Sequence, residues 1–237
     1  MQHFKGGIKI NICVIPARGG SKRIPRKNIK EFNGKPIIAY SIEAALKSNC
    51  FDKVIVSTDD DEIASISQKC GAEVPFKRPE RLAKDESTSI DVVLNVLSEL
   101  KASNEIYDYV ILLQPTSPYR DVNHIDDAID MLVLKKANAI ISTTKSKKSP
   151  LWMNTIPKNG DMSSFIKTNY QNKSSQELPI YFQLNGAIYL CRVKNLIEEE
   201  TFFLKNNIFT YIMDIESSVD IDDQYDFLYA ESISLLK

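Results

Sequence analysis

The sequence predicts a single α/β domain in which a mainly parallel central sheet is flanked by helices. Short apolar runs bounded by turn residues recur at 8–15, 54–58 and 109–113, as expected of buried parallel strands. Segments with the helical spacing of apolar residues separate these runs. The length of 237 residues, 43% of them hydrophobic and 26% charged, suits one globular domain with a large core.

The remaining elements follow in chain order. One helix begins after Pro36, the next ends at Gly71 and a third precedes the third strand, so the chain opens as βαβαβ. These three helices are predicted over 37–48, 60–70 and 88–101. Farther along, the pattern predicts a helix over 124–136, strands at 139–143, 186–191 and 209–213, a short helix from Val193 and a last helix over about 222–236.

One segment, 145–184, interrupts this regularity. It is polar and poorly periodic, yet it carries large apolar residues that a disordered linker would lack: Trp152, Met153, Phe165, Tyr181 and Phe182. We therefore interpret the chain as one domain over 1–237 with an inserted arm at about 145–184. The arm is predicted to support dimerisation of the chain, or alternatively to cover a substrate.

Charge and cysteine content exclude several classes of protein. The formal net charge is -1, which argues against a nucleic-acid-binding surface. The cysteines at 13, 50, 70 and 191 lack the paired spacing of a zinc site and are predicted to be reduced core residues. No segment has the pattern of a leader or a membrane span, so a cytoplasmic location without membrane contact is expected.

A basic, glycine-containing loop follows the first predicted strand. Between Arg18 and Lys30 the chain has six basic residues and no acidic one, while Gly19 and Gly20 let the backbone approach an anion. Arg18 follows a strand end, where α/β sheets bind ligands, and its planar fork can hold two phosphate oxygens. Lys27 adds a compact charge. The loop therefore predicts a nucleoside triphosphate site, with a solvated basic loop as the alternative.

This loop is neither a Walker loop nor a dinucleotide fingerprint, because the required glycine and lysine spacing is missing. With only His3 and His124 in the chain, a Ser/His triad is hard to assemble. A displacement assisted by a metal ion fits better. Asp220 and Asp222 alternate with apolar residues, so both carboxylates face one side of an extended segment and could hold Mg²⁺ beside a nucleotide. Alternatively, Asp222 or Asp223 caps the last helix.

Several motifs along the chain together resemble one family, the CMP-sialic acid synthetases (acylneuraminate cytidylyltransferases). The motifs are Pro16-Ala-Arg-Gly-Gly-Ser-Lys-Arg-Ile-Pro-Arg-Lys-Asn28, Ile55-Val-Ser-Thr-Asp59, Arg78-Pro79, Leu82-Ala-Lys-Asp85, Leu113-Gln-Pro-Thr-Ser-Pro-Tyr-Arg120, Leu184-Asn-Gly-Ala-Ile-Tyr189 and Asp220-Ile-Asp222. The resemblance runs almost from end to end. It implies a Rossmann-like sheet of the nucleotide-diphospho-sugar transferase type.

The resemblance also implies a reaction. CMP would pass from CTP to the anomeric 2-hydroxyl of a nine-carbon 2-keto sugar acid, with release of pyrophosphate. Such a step depends on positioning and on neutralising phosphate charge. Arg18 and Lys27 would hold the triphosphate, and Asp220 and Asp222 would hold Mg²⁺, for which Mn²⁺ could substitute. The candidates for the group that takes the proton are Asp222 and metal-bound hydroxide. A homodimer is the implied assembly.

Further contacts are implied by matching positions. Nucleotide contacts are implied for Ala17, Arg18, Gly19, Ser21, Lys27, Asn28, Arg78 and Ser87. Arg78 and Ser87 would lie near the cytosine; alternatively, Arg78 is a surface residue and Ser87 or Thr88 caps a helix. Sugar contacts are implied for Gln114, Asn185, Phe202 and Phe203. The two phenylalanines could instead be an ordinary hydrophobic anchor.

The chain departs from the family at one point. Ser175 stands where better-known members have an arginine three residues before the Leu178-Pro179 pair. Because that part of the family pattern reaches toward the sugar, N-acetylneuraminic, legionaminic and related acids are all candidate substrates. The alternatives are a CMP-Kdo synthetase or another nucleotidyltransferase on the same fold, and a nucleotide-sugar binding module without chemistry. The intact candidate residues argue against the binding module.

Overall fold

A computed structural model describes residues 12–235. The N-terminal segment, the part of the first predicted strand at 8–11 and residue 236 of the last predicted helix lie outside the described residues. The strands are β1 (Ile12–Pro16), β2 (Glu31–Phe32), β3 (Lys35–Pro36), β4 (Lys53–Ser57), β5 (Tyr109–Leu112), β6 (Ala139–Lys145), β7 (Phe182–Arg192) and β8 (Ile208–Met213). The α-helices are α1 (Ile37–Ser48), α2 (Asp61–Lys69), α3 (Ser89–Ala102), α4 (Val122–Lys135), α5 (Val193–Glu199) and α6 (Gln224–Ser234).

Six strands form one sheet in the order β4-β1-β5-β7-β6-β8. β1 runs parallel to β4 and β5, and β6 runs parallel to β8. Within this sheet only β7 is antiparallel to its neighbours, β5 and β6. The prediction of a mainly parallel sheet is confirmed. The reversal of β7 was not predictable from periodicity, because residues 187–191 are largely buried, as in a parallel strand.

The apolar residues of the sheet divide between two cores, one on each face. Along β1, Cys13 and Ile15 point to one core and Ile12 and Val14 to the other, as the period of a strand requires. The first core is covered by α1, α2 and α4, and the second by α3 and α5. A third, smaller core joins the basic loop to α6: Ile24, Phe32, Ile37, Val219, Ile221, Phe227, Ala230 and Ile233. The two chain segments with the candidate phosphate and metal residues are thereby packed together.

Side chains cap several helices at their N-termini. Asp60 accepts hydrogen bonds from the N–H groups of the first turn of α2, and Thr88 forms a capping box with Asp91 at α3. Asp223 caps α6 in the same way with Asp226. The cap of the last helix is thus Asp223, which leaves Asp222 outside the helix.

The structure contains a short hairpin that the sequence interpretation missed. β2 and β3 pair antiparallel around Asn33 and Gly34, whose φ angles are 48° and 83°. An Asn-Gly pair is a strong hairpin signal, but each strand has only two residues and shows no apolar period. The hairpin closes the basic loop on the side of α1.

The irregular stretch between β6 and β7 covers residues 146–181, within the bounds of about 145–184 predicted for the arm. β6 extends to Lys145 and β7 begins at Phe182. Between them lie no strands or α-helices, but three 3₁₀ turns: Pro150–Trp152, Thr168–Tyr170 and Ser175–Glu177. The outer parts of both strands, residues 144–145 and 182–185, were missed because they continue into the polar, poorly periodic stretch and carry no continuous apolar run. Met153, Ile156, Met162 and Ile180 of the arm each expose more than half of their surface.

Two compositional predictions can be compared with the structure. All four cysteines are free; Cys13 and Cys191 are buried, whereas Cys50 and Cys70 are half-buried at the margin of the first core. Burial raises the pKa of the Cys13 thiol to about 12, which makes it unreactive at neutral pH. Among the helices of residues 12–235, none is long and apolar enough to cross a membrane.

Candidate active site

A polar cavity of about 680 Å³ lies at the carboxyl ends of β1 and β5. Four segments line it: the loop after β1, the turn before α3, the segment after β5 and the segment before α6. The structure brings together nine of the predicted residues in its walls: Arg18, Ser21, Lys27, Asn28, Arg78, Ser87, Gln114, Asp220 and Asp222. Five others, Ala17, Gly19, Asn185, Phe202 and Phe203, do not line this cavity.

The basic loop is held by hydrogen bonds to β4 and to one of its own side chains, and by an ion pair to α2. The Ala17 N–H donates to the Ser57 carbonyl at 2.9 Å, which ties the loop to β4, and the buried Asn28 amide donates to the Arg18 carbonyl at 2.9 Å. Arg26 has a left-handed φ of 57° and pairs with Asp60 at the start of α2. Ala17 and Arg26 thus shape the loop, and Arg18 is left at the cavity wall.

Gly19 is required by a close approach. Its N–H donates to Asp59 Oδ1 at 3.1 Å, and a Cβ at this position would lie 2.7 Å from Asp60 Oδ2. A side chain would therefore collide with the cap of α2. The Gly19 N–H is thus bound to Asp59, and Gly19 does not line the cavity.

The cavity cations are paired with cavity carboxylates. Arg18 Nη2 lies 2.8 Å from Asp85 Oδ1, and Lys22 Nζ lies 2.5 Å from Asp85 Oδ2. Lys27 Nζ lies 3.1 Å from Asp222 Oδ1 and donates to the Ile221 carbonyl at 2.8 Å. The sequence interpretation did not assign Lys22, Arg23, Lys84 or Asp85 to the site, although all four line it. The basic run and the Leu82-Ala-Lys-Asp85 motif were the available signals.

Asp220 and Asp222 reach the cavity from the segment before α6. This segment is fastened to the loop after β5 by the Ile221 N–H, which donates to the Thr116 carbonyl at 2.9 Å. Asp220 is largely buried, and burial raises the pKa of its carboxyl, with the nearby Asp222 charge acting in the same direction. Among the described residues, Asp220 Oδ1 has no hydrogen-bond donor. Gly186 makes room for it, since a Cβ there would lie 3.3 Å from Asp220 Oδ2.

Arg78 is buried, so the alternative of a surface arginine is wrong. Its Nε donates to Ser57 Oγ at 3.2 Å and its Nη2 to the Ser57 carbonyl. Burial lowers the pKa of Arg78 to about 10, while the charge of Asp59 opposes this effect. The Ser87 hydroxyl donates to the Arg81 carbonyl at 2.9 Å, and it is Thr88 that caps α3. Both Arg78 and Ser87 are thus fixed at the cavity wall.

A small apolar pocket of about 190 Å³ adjoins the cavity. Phe202, Phe203 and Tyr189 line it together with Leu112, and Gln114 belongs to both spaces. The rings of Tyr189 and Phe202 lie 5.4 Å apart. Three of the four predicted sugar residues, Gln114 and the two phenylalanines, therefore meet at one place.

Asn185 lies elsewhere, in a buried network between β6, β7 and the segment before α6. Its Oδ1 accepts from Ser142 Oγ at 2.6 Å, and its Nδ2 donates to Ser218 Oγ at 2.9 Å. The amide is nearly inaccessible. Its sequence neighbourhood, Asn-Gly at a strand, did not reveal these distant partners.

Comparison with known proteins shows which family this chain matches and which solved structures share its fold. The model of the family described as Cytidylyltransferase matches residues 12–235. A pseudaminic acid cytidylyltransferase from Campylobacter jejuni is 36% identical over 221 residues, which cover 93% of this chain and 94% of that protein. A CMP-N,N'-diacetyllegionaminic acid synthase from Legionella pneumophila is 36% identical over 222 residues, which cover 94% and 95%.

Among solved structures, a CMP:2-keto-3-deoxy-manno-octonic acid synthetase complexed with CTP superposes with a TM-score of 0.69. The superposition covers 95% of this chain and 98% of the other, at 19% sequence identity. At that identity the likeness concerns the fold, and it confirms the predicted Rossmann-like class.

Proposed function

The chain belongs to the cytidylyltransferase family, and on that premise we propose that it transfers CMP from CTP to the anomeric 2-hydroxyl of a sialic-type, nine-carbon sugar acid. The resemblance found in the motifs is thereby confirmed at the level of the family. The observation that carries the proposal is the meeting of a basic loop, a pair of carboxylates and Gln114 in one polar cavity beside an apolar pocket.

The cations are arranged to neutralise a triphosphate. Arg18, Lys22 and Lys27 face the cavity from one short loop, so their charges converge on a volume that suits three linked phosphates. The sugar oxygen forms a bond to the α-phosphorus as the bond from that phosphorus to the β-phosphate oxygen breaks, and pyrophosphate leaves. Asp222, half-exposed in the cavity, is the candidate of this chain for accepting the proton of the hydroxyl.

We also propose Mg²⁺ as the cofactor, with Mn²⁺ as a substitute. The donor set suits a hard cation: Asp220 Oδ1 is buried without a donor among the described residues, and Asp222 adds a second carboxylate. Within the described residues no group of three or more acidic, His or Cys residues could hold a metal, so phosphate and water oxygens would complete the ligand set. Bound there, the cation would supply positive charge near the α-phosphate.

Two features support an acylated nine-carbon acid as the substrate class. The apolar pocket lined by Phe202 and Phe203 offers little to a bare hydroxyl and suits an acyl methyl group. The relatives from Campylobacter jejuni and Legionella pneumophila carry names that specify pseudaminic and legionaminic acid. The alternative, a Kdo substrate, is favoured only by a likeness of fold.

A homodimer is proposed on the basis of the arm. Residues 146–181 expose Met153, Ile156, Met162 and Ile180, which a second copy of the chain could cover. Residues 145–148 at the base of the arm line a second pocket together with Asp220, which also lines the cavity. We propose that an arm from one subunit reaches the site of the other. A cytoplasmic location is proposed because CTP is an intracellular nucleotide.

The proposal is tested by pyrophosphate release from CTP and Mg²⁺ with N-acetylneuraminic, legionaminic, pseudaminic acid or Kdo. Rapid turnover of one nine-carbon acid is the expected result. Turnover of Kdo alone would favour the alternative synthetase. A protein that binds CTP but turns over none of the four acids would contradict the proposal and favour a nucleotide-binding module.

A further inference from the structure

Two buried polar side chains hold the backbone of Gln114 from behind the cavity. Ser41 Oγ, on α1, donates to the Gln114 carbonyl at 3.0 Å. Arg120 Nη2 donates to Ser41 Oγ at 2.7 Å and lies 3.3 Å from the same carbonyl. We refer to this pair of side chains as the Ser41–Arg120 clamp. It joins α1 to the turn that follows β5.

The burial of Arg120 is costly. Ser41 is 0% and Arg120 1% exposed. Within residues 12–235 no carboxylate forms an ion pair with Arg120, and its Nε and Nη1 atoms have no acceptor. Burial lowers the pKa of the guanidinium to about 10, so it still carries its charge at neutral pH. An apolar side chain would fill this position without the cost of removing a charge from water. The hydrogen bonds of Nη2 are therefore the contribution that an apolar residue could not make.

The clamp acts at a restricted point of the backbone. Gln114 precedes Pro115, and a residue before proline is confined to extended conformations. With its carbonyl also fixed, Gln114 has little freedom except in its side chain, whose Nε2 donates to Ser89 Oγ at 3.3 Å. The amide is therefore presented at the boundary between the polar cavity and the apolar pocket.

We propose that Ser41 and Arg120 are positioning residues that orient Gln114 toward the sugar acid. The proposal rests on the proposed function, since it takes Gln114 as a contact of that substrate. A displaced amide would weaken the contact with the sugar acid and leave the triphosphate contacts of the basic loop unchanged. The clamp thus predicts an effect on one substrate and not on the other.

Ser41→Ala tests the clamp with the smallest change. We expect it to raise the KM for the sugar acid about fivefold, the typical effect of losing one hydrogen bond, and to leave the KM for CTP within about twofold. Ser48→Ala is the matched control, because Ser48 is also buried on α1 but its hydroxyl donates to Asp126 at 2.5 Å, away from the cavity. The control is expected to change neither KM. Arg120→Lys, which keeps the charge and one donor, is expected to give a smaller rise than Ser41→Ala.

A double-mutant cycle separates positioning from a general loss of structure. If Ser41 acts through the Gln114 side chain, Ser41→Ala has no further effect on the sugar-acid KM in a Gln114→Ala background. A rise by the same factor in both backgrounds, or no rise with Ser41→Ala, would overturn the positioning role. An unchanged sugar-acid KM in Gln114→Ala alone would overturn the substrate contact on which the proposal rests. Failure of the proposed function would show differently, as no pyrophosphate release by the unmodified enzyme.

Discussion

Asp85 Oδ1 lies 2.8 Å from Arg18 Nη2, so this carboxylate pairs with the guanidinium that we propose as a triphosphate contact. The other oxygen of Asp85 pairs with Lys22. The hydrogen bond from Lys22, with the charge of Arg18, holds the pKa of Asp85 below its ordinary value. On the proposed function, a bound triphosphate would displace this carboxylate, because the same cations would pair with both.

The first prediction concerns this competition. Asp85→Asn should tighten CTP binding about two- to fivefold, the range expected for losing an exposed competing ion pair. Isothermal titration calorimetry would measure the change. Asp61→Asn is the control, since Asp61 pairs with Lys77 and does not line the cavity. Weaker CTP binding in Asp85→Asn would show that Asp85 orders the loop instead of competing with phosphate.

The second prediction concerns Asp222. Asp222→Asn keeps the volume of a half-exposed side chain, so folding should be preserved, but it removes a charge from the cavity. We expect turnover to fall about 100-fold or more, with an unchanged circular dichroism spectrum. The neighbouring Asp223→Asn should retain turnover, because Asp223 caps α6 and asparagine is an equally good cap. Full activity in Asp222→Asn would remove its assignment to catalysis.

The third prediction is a pH dependence of stability. Arg26, followed by the amides at the start of α2, lowers the pKa of Asp60 below its ordinary value of 3.8. The folded state therefore binds fewer protons here than the unfolded state, and the stabilisation is complete above that ordinary value and lost as pH falls through the lowered one. Asp60→Asn should thus reduce the free energy of unfolding by about 1 kcal/mol at neutral pH and have a smaller effect at an acid pH below the lowered pKa.

Urea denaturation at both pH values would measure this difference. Asp61→Asn serves as the neighbouring control, because Asp61 is exposed and its ion pair is with Lys77. A constant difference between wild type and Asp60→Asn across the pH range would exclude a role for the Asp60 charge.

The fourth prediction concerns the base. Arg78 and Ser87 are fixed at the cavity wall, and we expect them to favour cytosine over other bases. At a concentration about 100-fold above its Kd, CTP should raise Tm by roughly 5–10 °C, because a ligand that binds only the native state stabilises it. UTP, GTP and ATP at the same concentration should raise Tm less. A larger shift with GTP or UTP would point to a different nucleotidyltransferase.

The fifth prediction concerns assembly. Ile180 is exposed on the arm, and Ile180→Asp should shift the protein from a dimer toward the 26.9 kDa monomer in light scattering. Ile106→Asp is the control, because Ile106 is 79% exposed but lies before β5, away from the arm. A monomeric wild-type protein would contradict the dimerisation role of the arm.

The sequence was sufficient to predict those parts whose signals are local. The strands β1, β4 and β5 are short apolar runs, and α2 and α3 begin at an Asp or Thr cap. The cations of the basic loop are adjacent in sequence, so their convergence on the cavity could be expected. Motif resemblance supplied Arg78, which lines the cavity although no local pattern singles it out.

The parts that could not be predicted depend on contacts between distant segments. The antiparallel course of β7 is one, since a buried strand has the same composition in either direction. The burial of Asn185 against Ser142 and the pairing of Asp85 with Arg18 are others. In each case the partner is far along the chain, and only the folded sheet brings the two residues together.

The reversed direction of β7 has a consequence for how this fold can vary. Because β7 returns beside β6, the two ends of the arm meet: Lys145 is paired with Phe182, and the Ser146 N–H donates to the Tyr181 carbonyl at 2.8 Å. The intervening residues therefore form a loop whose two ends are joined by one pair of hydrogen-bonded strands. The entropic cost of closing such a loop depends only weakly on its length. Evolution could lengthen, shorten or exchange this segment without rebuilding the part of the sheet that carries the cavity.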